Sequence, residues 1–247
     1  MALSLLLAGG ALLGAIFGSF IATLTERWPA GRSSLGRSAC DECQTPLRFW
    51  ELVPVLSWMI LGGRCRTCQA PIGVRAPLVE GTAALIAVAA LAVSPGMIGL
   101  FGAVFGWLLL ILLLLDSRHF WLPDAITIPL ILCGLGLGYW DPSIPLADRF
   151  IGAATGYLAL ELVRQSYKRV RGREGLGGGD PKLFAGIGAW LGWHLLPLVL
   201  LLACLVCATG LILARATGRT IEANQPLAFG AFLAGAAFPF WLLLHWV

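Results

Sequence analysis

The sequence predicts an all-α polytopic membrane protein with about eight transmembrane helices and a small four-cysteine domain between the first two. Of its 247 residues, 58% are hydrophobic and only 12% are charged, whereas a soluble domain averages about 25% charged residues. Uncharged runs such as 97–115 and 195–214 approach the roughly 20 residues that a helix needs to cross a bilayer. Two Cys-x-x-Cys pairs lie in the one long polar stretch, which separates the first apolar run from the rest.

The predicted spans follow the apolar runs in chain order. They are 2–25, 76–93, 98–115, 124–139, 149–166, 181–192, 195–214 and 227–246. The first run lacks a basic segment before it and an obvious small-residue cleavage site, so we interpret it as a retained span and not as a signal peptide. The sixth run is short for a bilayer-crossing helix, and we expect that span to be tilted or broken near its start.

The basic residues predict which side of the membrane each loop faces. Seven arginines lie between residues 27 and 75, and five basic residues lie between 168 and 182. With eight spans and the N-terminus outside, these loops all face the cytoplasm, as the positive-inside rule requires. The net charge of +4 is then explained by this topology and by contact with anionic lipid headgroups, without nucleic acid as a partner.

The chain divides into three predicted regions. Residues 1–25 form the first transmembrane helix, residues 26–75 form a cytoplasmic four-cysteine domain, and residues 76–247 form the remaining membrane-embedded core. The middle region has about 50 residues, which is too few to build a robust hydrophobic core unaided. Domains of this size usually need a disulfide or a metal to hold them together.

The four cysteines of the polar region predict a structural zinc site. The first pair is Cys40 and Cys43, and the second pair is Cys65 and Cys68. Two such pairs supply the four thiolates of a tetrahedral, closed zinc site, which makes the domain zinc-ribbon-like. Disulfides are the weaker interpretation on the cytoplasmic side, and free thiols remain the alternative.

Two aspartates at the ends of apolar runs are the candidate catalytic residues. Asp116 ends one apolar run, and Asp180 opens another directly after three glycines. Charged residues at membrane depth are costly and mark functional sites, although both could instead be helix-end residues in contact with headgroups. If they meet, two carboxylates share a proton, so that one acts as a base toward water while the other acts as an acid. Gly177 and Gly179 would allow an extended substrate to approach Asp180 closely.

Other ionisable residues have simpler interpretations. Asp124 follows a proline and precedes an apolar run, which predicts an N-cap. Asp141 lies in a predicted outer loop and should be solvated or capping. Glu161 either supports the site or simply pairs with Arg164 one turn on. His245 lies near the end of a span, and we expect it at the membrane interface.

With these residues assembled, the chain resembles the type IV prepilin peptidases. The segment 174–185, which contains Gly177-Gly-Gly-Asp180, closely resembles the Gly-x-Gly-Asp segment of that family. The segment 116–124 resembles the one that carries the family's other catalytic aspartate, which corresponds to Asp116. Four further segments resemble the end of the first helix and the cytoplasmic domain: 18–20, 26–29, 54–58 and 77–80.

The resemblance implies two reactions and their partners. Members of this long form remove the basic leader from prepilins, or from the pseudopilins of type II secretion, at the cytoplasmic face of the bacterial inner membrane. They then N-methylate the new N-terminus with S-adenosylmethionine, to which Glu51 and Glu80 could contribute. Two departures are visible: Leu52 stands where the family usually has asparagine, and 226–230 departs from the family's Pro-Phe-Gly-Pro.

Two alternatives stay open on the sequence alone. The loss of the asparagine next to Glu51 is compatible with a peptidase that cleaves but no longer methylates. In a different class, a small transporter with a zinc-stabilised loop could use Asp116 and Asp180 as a proton or cation site. Transporters often contain inverted repeats, and none is evident here.

Overall fold

The structure, a computed structural model, describes residues 2–33, 36, 38–40, 42–218 and 227–246, so Pro226 of the C-terminal motif lies outside the described residues. Within these ranges the chain is helical, with two isolated β-bridges and no longer strand. The α-helices are α1 (Ala2–Arg27), α2 (Leu56–Ile60), α3 (Arg75–Val93), α4 (Met97–His119), α5 (Asp124–Leu137), α6 (Leu146–Arg171), α7 (Asp180–Leu191), α8 (Leu196–Ala216) and α9 (Phe229–His245). A 3₁₀ turn spans Phe49–Leu52.

The helices confirm the predicted fold class. Each of the eight predicted spans corresponds to one helix, α1 or α3 to α9. Four of them, α1, α3, α4 and α8, are long and apolar enough to cross a membrane, and α5 and α9 are shorter apolar helices. The protein is therefore an all-α polytopic membrane protein with a small cysteine-bearing segment between its first two long helices.

The chain folds as two compact units, Met1–Trp107 and Leu108–Val247, and the division falls within α4. In the first unit α1 packs along α3 through a row of glycines four residues apart: Gly10, Gly14 and Gly18. A Cβ atom at Gly14 would lie 2.5 Å from the carbonyl oxygen of Ala83. The absence of side chains along this row lets the two backbones touch, as is common between membrane helices.

The second unit is built around α7. This helix has 12 residues, of which all but Lys182 are buried. At 1.5 Å per residue it is about 18 Å long, well short of the roughly 30 Å hydrocarbon core. The sixth predicted span is therefore a short helix enclosed by protein and does not cross a bilayer by its own length.

Small residues allow α5 and α6 to pack closely against α7. Gly152 of α6 faces the backbone of Gly188 on α7, and Gly156 faces the carbonyl of Phe184. On the other side, the indole of Trp190 donates a hydrogen bond to the carbonyl oxygen of Leu130 on α5, at 2.9 Å. The first residue of α7 is Asp180, so this packing fixes the position of the candidate catalytic aspartate.

The sequence-based interpretations of Asp124 as an N-cap and of Asp141 as a solvated residue are wrong. Pro123 occupies the N-cap of α5, and Asp124 is the first helical residue, where its carboxylate pairs with the Lys182 ammonium at 2.6 Å. Asp141 is buried instead of solvated, although its Oδ1 accepts a local hydrogen bond from the Ser143 amide, and His245, at the end of α9, is also buried. The physical reason is long-range pairing, because His245 contacts Asp141 across 104 residues of sequence.

Candidate active site

The side chains of Asp116 and Asp180 converge in the second unit. Asp116 lies in the last turn of α4, and Asp180 begins α7. Each residue is only 5% exposed. Burying two carboxylates to this extent costs free energy unless other groups compensate them, and ionisable residues kept at such a cost are usually functional.

Gly230, in the first turn of α9, is the point where the two carboxylates meet. A Cβ atom at Gly230 would lie 2.8 Å from Oδ1 of Asp180 and 3.0 Å from Oδ2 of Asp116. Both oxygens therefore face the same small volume, which only a residue without a side chain leaves open. The sequence had suggested the pairing of the aspartates but not this glycine, which was noted only as part of a divergent C-terminal motif.

Backbone amides hold one oxygen of each carboxylate. The N–H of Ala231, next to Gly230, donates to Oδ2 of Asp116 at 2.8 Å. The N–H of Gly177 donates to Oδ2 of Asp180 at 3.0 Å. In Asp180, Oδ1 therefore faces Gly230, and Oδ2 faces the glycine loop that precedes α7. These hydrogen bonds fix the orientation of both groups before any substrate arrives.

The two candidate glycines before Asp180 have different roles. Gly177 provides the amide that bonds the carboxylate. Gly179 is needed for space, because a Cβ atom there would lie 2.5 Å from Cβ of Leu122. Its φ of −83° is an ordinary value, so close approach and not an unusual torsion explains the glycine at this position.

Glu161 pairs with Arg164, whose guanidinium lies near the loop that carries these glycines. Its carboxylate binds the Arg164 guanidinium through two hydrogen bonds of 2.9 and 2.8 Å, and it accepts a third from Gln165. Nη1 of Arg164 lies 3.6 Å from the position of a Cβ atom at Gly178. Of the two alternatives for Glu161, the structure shows the pairing with Arg164.

The four predicted zinc ligands form a cluster in the first unit. The sulfur atoms of Cys40, Cys43, Cys65 and Cys68 all lie within 4.8 Å of one another. The Cys40–Cys68 and Cys43–Cys65 sulfur distances are 3.8 and 3.9 Å. Sulfur ligands about 2.3 Å from a tetrahedral zinc are about 3.8 Å apart, so the donor set and its spacing fit zinc.

The two cysteine pairs lie on turns of the same construction. The amide of Cys40 donates to the carbonyl of Thr45, and that of Cys65 donates to Ala70. Gln44 and Gln69, which follow the second cysteine of each pair, both have a positive φ, of 54° and 59°. The letters Cys-x-x-Cys-Gln-x-Pro recur at 40–46 and 65–71, a short repeat that the sequence analysis missed.

Glu51 lines a cavity in the first unit. Its side chain is 6% exposed and accepts hydrogen bonds from the Arg48 amide and from Nε of Arg66, at 2.7 and 2.8 Å. The hydrogen bond from the Arg48 backbone, with the nearby Arg66 charge, lowers the pKa of Glu51. The cavity has a volume of about 560 Å³, and Glu26 and Arg27 also line it.

Glu80 occupies a different environment. It lies on α3 where this helix crosses Gly18 of α1, and it is 7% exposed. Its Oε2 accepts a hydrogen bond of 2.7 Å from the amide of Val55. Val55 has a φ of 60° and a ψ of −51°, a conformation that is strained for a β-branched residue. The Glu80 carboxylate therefore anchors a strained turn of the cysteine-bearing segment to α3.

Two families match consecutive parts of the chain. Residues 12–94 match the family described as the bacterial peptidase A24 N-terminal domain. Residues 103–212 match the type IV leader peptidase family. The first range contains the four cysteines, and the second contains Asp116 and Asp180. No solved structure gives a significant match.

Curated relatives extend the similarity over most of the chain. A prepilin leader peptidase/N-methyltransferase of Aeromonas hydrophila is 44% identical over 214 residues, which cover 85% of this chain and 71% of the relative. A protein of the same name from Burkholderia pseudomallei is 45% identical, with coverages of 84% and 70%. Another, from Pseudomonas aeruginosa, is 38% identical over 95% of this chain and 88% of the relative.

Proposed function

This chain belongs to the type IV leader peptidase family, and from that premise we propose that Asp116 and Asp180 are the catalytic pair with which it cleaves prepilins or pseudopilins. The observation that carries this proposal is the convergence of both buried carboxylates on Gly230. The transporter alternative has no comparable support, because the relatives are named as enzymes that cleave and methylate.

The geometry supports the chemistry of an aspartic peptidase. Two carboxylates facing one small volume do not both ionise readily, so the pair holds one proton between them. The ionised member removes a proton from a water molecule as that water attacks the scissile carbonyl, and the protonated member donates to the carbonyl oxygen. Collapse of the tetrahedral intermediate then breaks the C–N bond and transfers a proton to the leaving amine. The amides of Gly177 and Ala231 keep both carboxylates oriented during these steps.

The proposed site of cleavage is the cytoplasmic face of the bacterial inner membrane. Asp116 ends an apolar run and is followed by Arg118, and Asp180 opens an apolar run after the basic segment 168–173. Loops that carry such basic residues face the cytoplasm by the positive-inside rule. A prepilin presents a basic leader followed by an apolar helix, so its cleavage point would reach the pair at the membrane boundary.

The second reaction, N-methylation of the new terminus, is proposed for the first unit. When bound, S-adenosylmethionine would supply the methyl group of its positively charged sulfur: the terminal amine would form the new C–N bond and lose a proton, and the C–S bond would break to release S-adenosylhomocysteine. The cavity beside Glu51 has the volume of a typical site for a ligand of this size. Carboxylates of Glu26 and Glu51 would offset the positive charge, while Glu80 would hold the segment in place.

The proposed zinc site stabilises the same segment. Four thiolates leave zinc no open position, so the metal would be structural. Its binding energy would be part of the folding energy of this small domain. Replacing any one of the four cysteines is therefore expected to affect methylation and protein yield more than cleavage.

The proposal is tested with purified full-length protein and a synthetic pre-pseudopilin, analysed by mass spectrometry. We expect the substrate to lose its leader, and the product to gain one methyl group when S-adenosylmethionine is added. Asp116→Asn and Asp180→Asn should each lower cleavage about 10²- to 10⁴-fold, because an amide is neither acid nor base at this site. Asp124→Asn is the matched control, because it breaks only a half-exposed ion pair worth less than about 1 kcal/mol. Near-normal cleavage by either dyad variant would remove that residue from the catalytic role.

A further inference from the structure

Three polar residues form a buried cluster at the end of α7 that is opposite Asp180. The Arg149 cluster consists of Asp141, Arg149 and His245, which are 7%, 1% and 8% exposed. They come from the α5–α6 loop, the first turn of α6 and the last residue of α9. Nothing in the proposed chemistry uses them, and an arginine is almost never fully buried unless it is paired.

Arg149 holds the C-terminal end of α7. Its Nη1 lies 3.3 Å from the carbonyl oxygens of both Ala189 and Trp190, and 3.4 Å from that of Gly134 on α5. The last four carbonyls of a helix have no partner within it, and inside a membrane protein no bulk water replaces that partner. A guanidinium at this end also complements the helix dipole. Arg149 thus ties the C-terminal end of α7 to α5 and α6.

Asp141 joins this arginine to α9. Its Oδ2 accepts a hydrogen bond of 2.6 Å from Nη2 of Arg149 and lies 3.3 Å from Nε2 of His245. Nδ1 of His245 lies 2.9 Å from the carbonyl oxygen of Trp241. Burial alone would raise the pKa of Asp141, but hydrogen bonds with His245 and Ser143 outweigh it and hold that pKa below its usual range. Through these contacts the carboxylate bridges α9 to the arginine.

The two helices held by this cluster are the ones that carry groups of the proposed active site at their other ends. The helix α7 begins with Asp180. The first turn of α9 contains Gly230, whose missing side chain leaves the space between the two carboxylates open, and Ala231, whose amide donates to Asp116. A helix transmits an axial displacement along its length, because its hydrogen-bonded backbone is stiff. A change at Arg149 therefore reaches Asp180 about 18 Å away.

We infer that Arg149 is a positioning residue for the peptidase reaction: by fixing the far ends of α7 and α9, it sets the spacing between Asp180 and Asp116. The inference rests on the proposed function. A small change in this spacing alters how the two carboxylates share their proton, and it displaces them from the attacking water. Both effects act on the chemical step and leave the docking of the substrate helix unchanged.

The test compares Arg149→Lys and Arg149→Met with Arg171→Met, a change at an exposed arginine of the same helix. Purified full-length variants are assayed for kcat, KM and the pH dependence of kcat. The values of kcat are normalised to the folded fraction of each variant. We expect Arg149→Met to lower kcat about tenfold or more, with KM within about threefold and a displaced pH profile. Arg149→Lys should restore part of kcat, and Arg171→Met should match the unchanged protein.

A purely structural arginine would give a different result. Loss of folded protein alone lowers the yield but leaves the normalised kcat and its pH profile unchanged, and that outcome in Arg149→Met overturns the inference. If Arg149→Met does not fold, Asp141→Asn and His245→Gln provide the same comparison with smaller changes at the far ends of the helices. Unchanged pH profiles in both would again overturn it. Normal cleavage by Asp180→Asn would instead contradict the proposed function itself.

Discussion

At the scale of single residues, Gly230 is the position most sensitive to a minimal change. One methyl group there would lie within 3.0 Å of both carboxylates and 2.7 Å from Cδ1 of Leu122. Such contacts are closer than van der Waals packing permits, so the carboxylates or α9 must move. Because catalysis depends on the placement of reacting groups to within about 1 Å, a small shift here carries a large kinetic cost.

We therefore predict that Gly230→Ala lowers the kcat of prepilin cleavage about 10²-fold while the protein still folds and inserts. The control is Gly235→Ala on the same helix, where a Cβ atom would make an ordinary 3.5 Å contact with Leu113. Both variants are compared by mass spectrometry of the cleaved substrate and by thermal unfolding in detergent. Equal kcat values for the two variants would show that the space at Gly230 is not needed.

The same scale shows what the sequence could and could not predict. The aspartates and cysteines were identifiable because each chemistry needs a residue type in a local pattern: a carboxylate at the end of an apolar run, or two thiols three residues apart. Gly230 and the Arg149 cluster were not, since their roles depend on contacts between residues far apart in sequence, such as Ala231 with Asp116 and His245 with Asp141, which are 115 and 104 residues apart. Asp141 was predicted to be solvated because no local pattern reveals that a distant histidine and a nearby arginine enclose it.

At the scale of elements, the folding of the two turns that carry the cysteine pairs should depend on a bound metal ion. We predict about one zinc per chain, measured by elemental analysis of the detergent-purified protein. Cys65→Ser should lower the zinc content and the thermal stability of the first unit, because metal binding is coupled to folding. Cys133→Ser, which changes a cysteine outside the cluster, is the control. Purified protein with no zinc, iron, cobalt or nickel would contradict the assignment.

A second prediction at this scale concerns the close packing of α1 against α3. We predict that Gly14→Leu destabilises the first unit by about 1–3 kcal/mol, because the backbone of Ala83 and Ala84 occupies the space that the new side chain needs. Gly9→Leu is the control, since no atom lies within 4 Å of a Cβ there. Thermal unfolding in detergent distinguishes them, and equal midpoints would mean that α1 can shift away from α3 without cost.

At the scale of the whole molecule, the proposed topology determines which reagents can reach the site. We predict that Ser117→Cys and Gly178→Cys react only with a membrane-impermeant thiol reagent supplied from the cytoplasm. Ser94→Cys, in a predicted outer loop, should react only from the outside. The background lacks Cys133, Cys204 and Cys207 but keeps the four metal ligands, so the cysteine-bearing segment stays folded. The reverse pattern of labelling would invert the topology and remove the proposed cleavage site from the cytoplasmic face.

The enclosed helix α7 also has a consequence for how the protein is made. A translocon releases a segment into lipid when that segment is long and apolar enough to prefer lipid over water. The helix α7 has 12 residues, including an aspartate, a proline and a lysine, and does not meet this requirement alone. The long apolar helix α8 begins only five residues after α7 ends. The helix α7 therefore has to enter the membrane together with α8 as a hairpin, or it has to pack directly against α5 and α6, which are synthesised before it. Assembly of the proposed active site is thus a late event, completed only when α9, with Gly230 in its first turn, has left the ribosome.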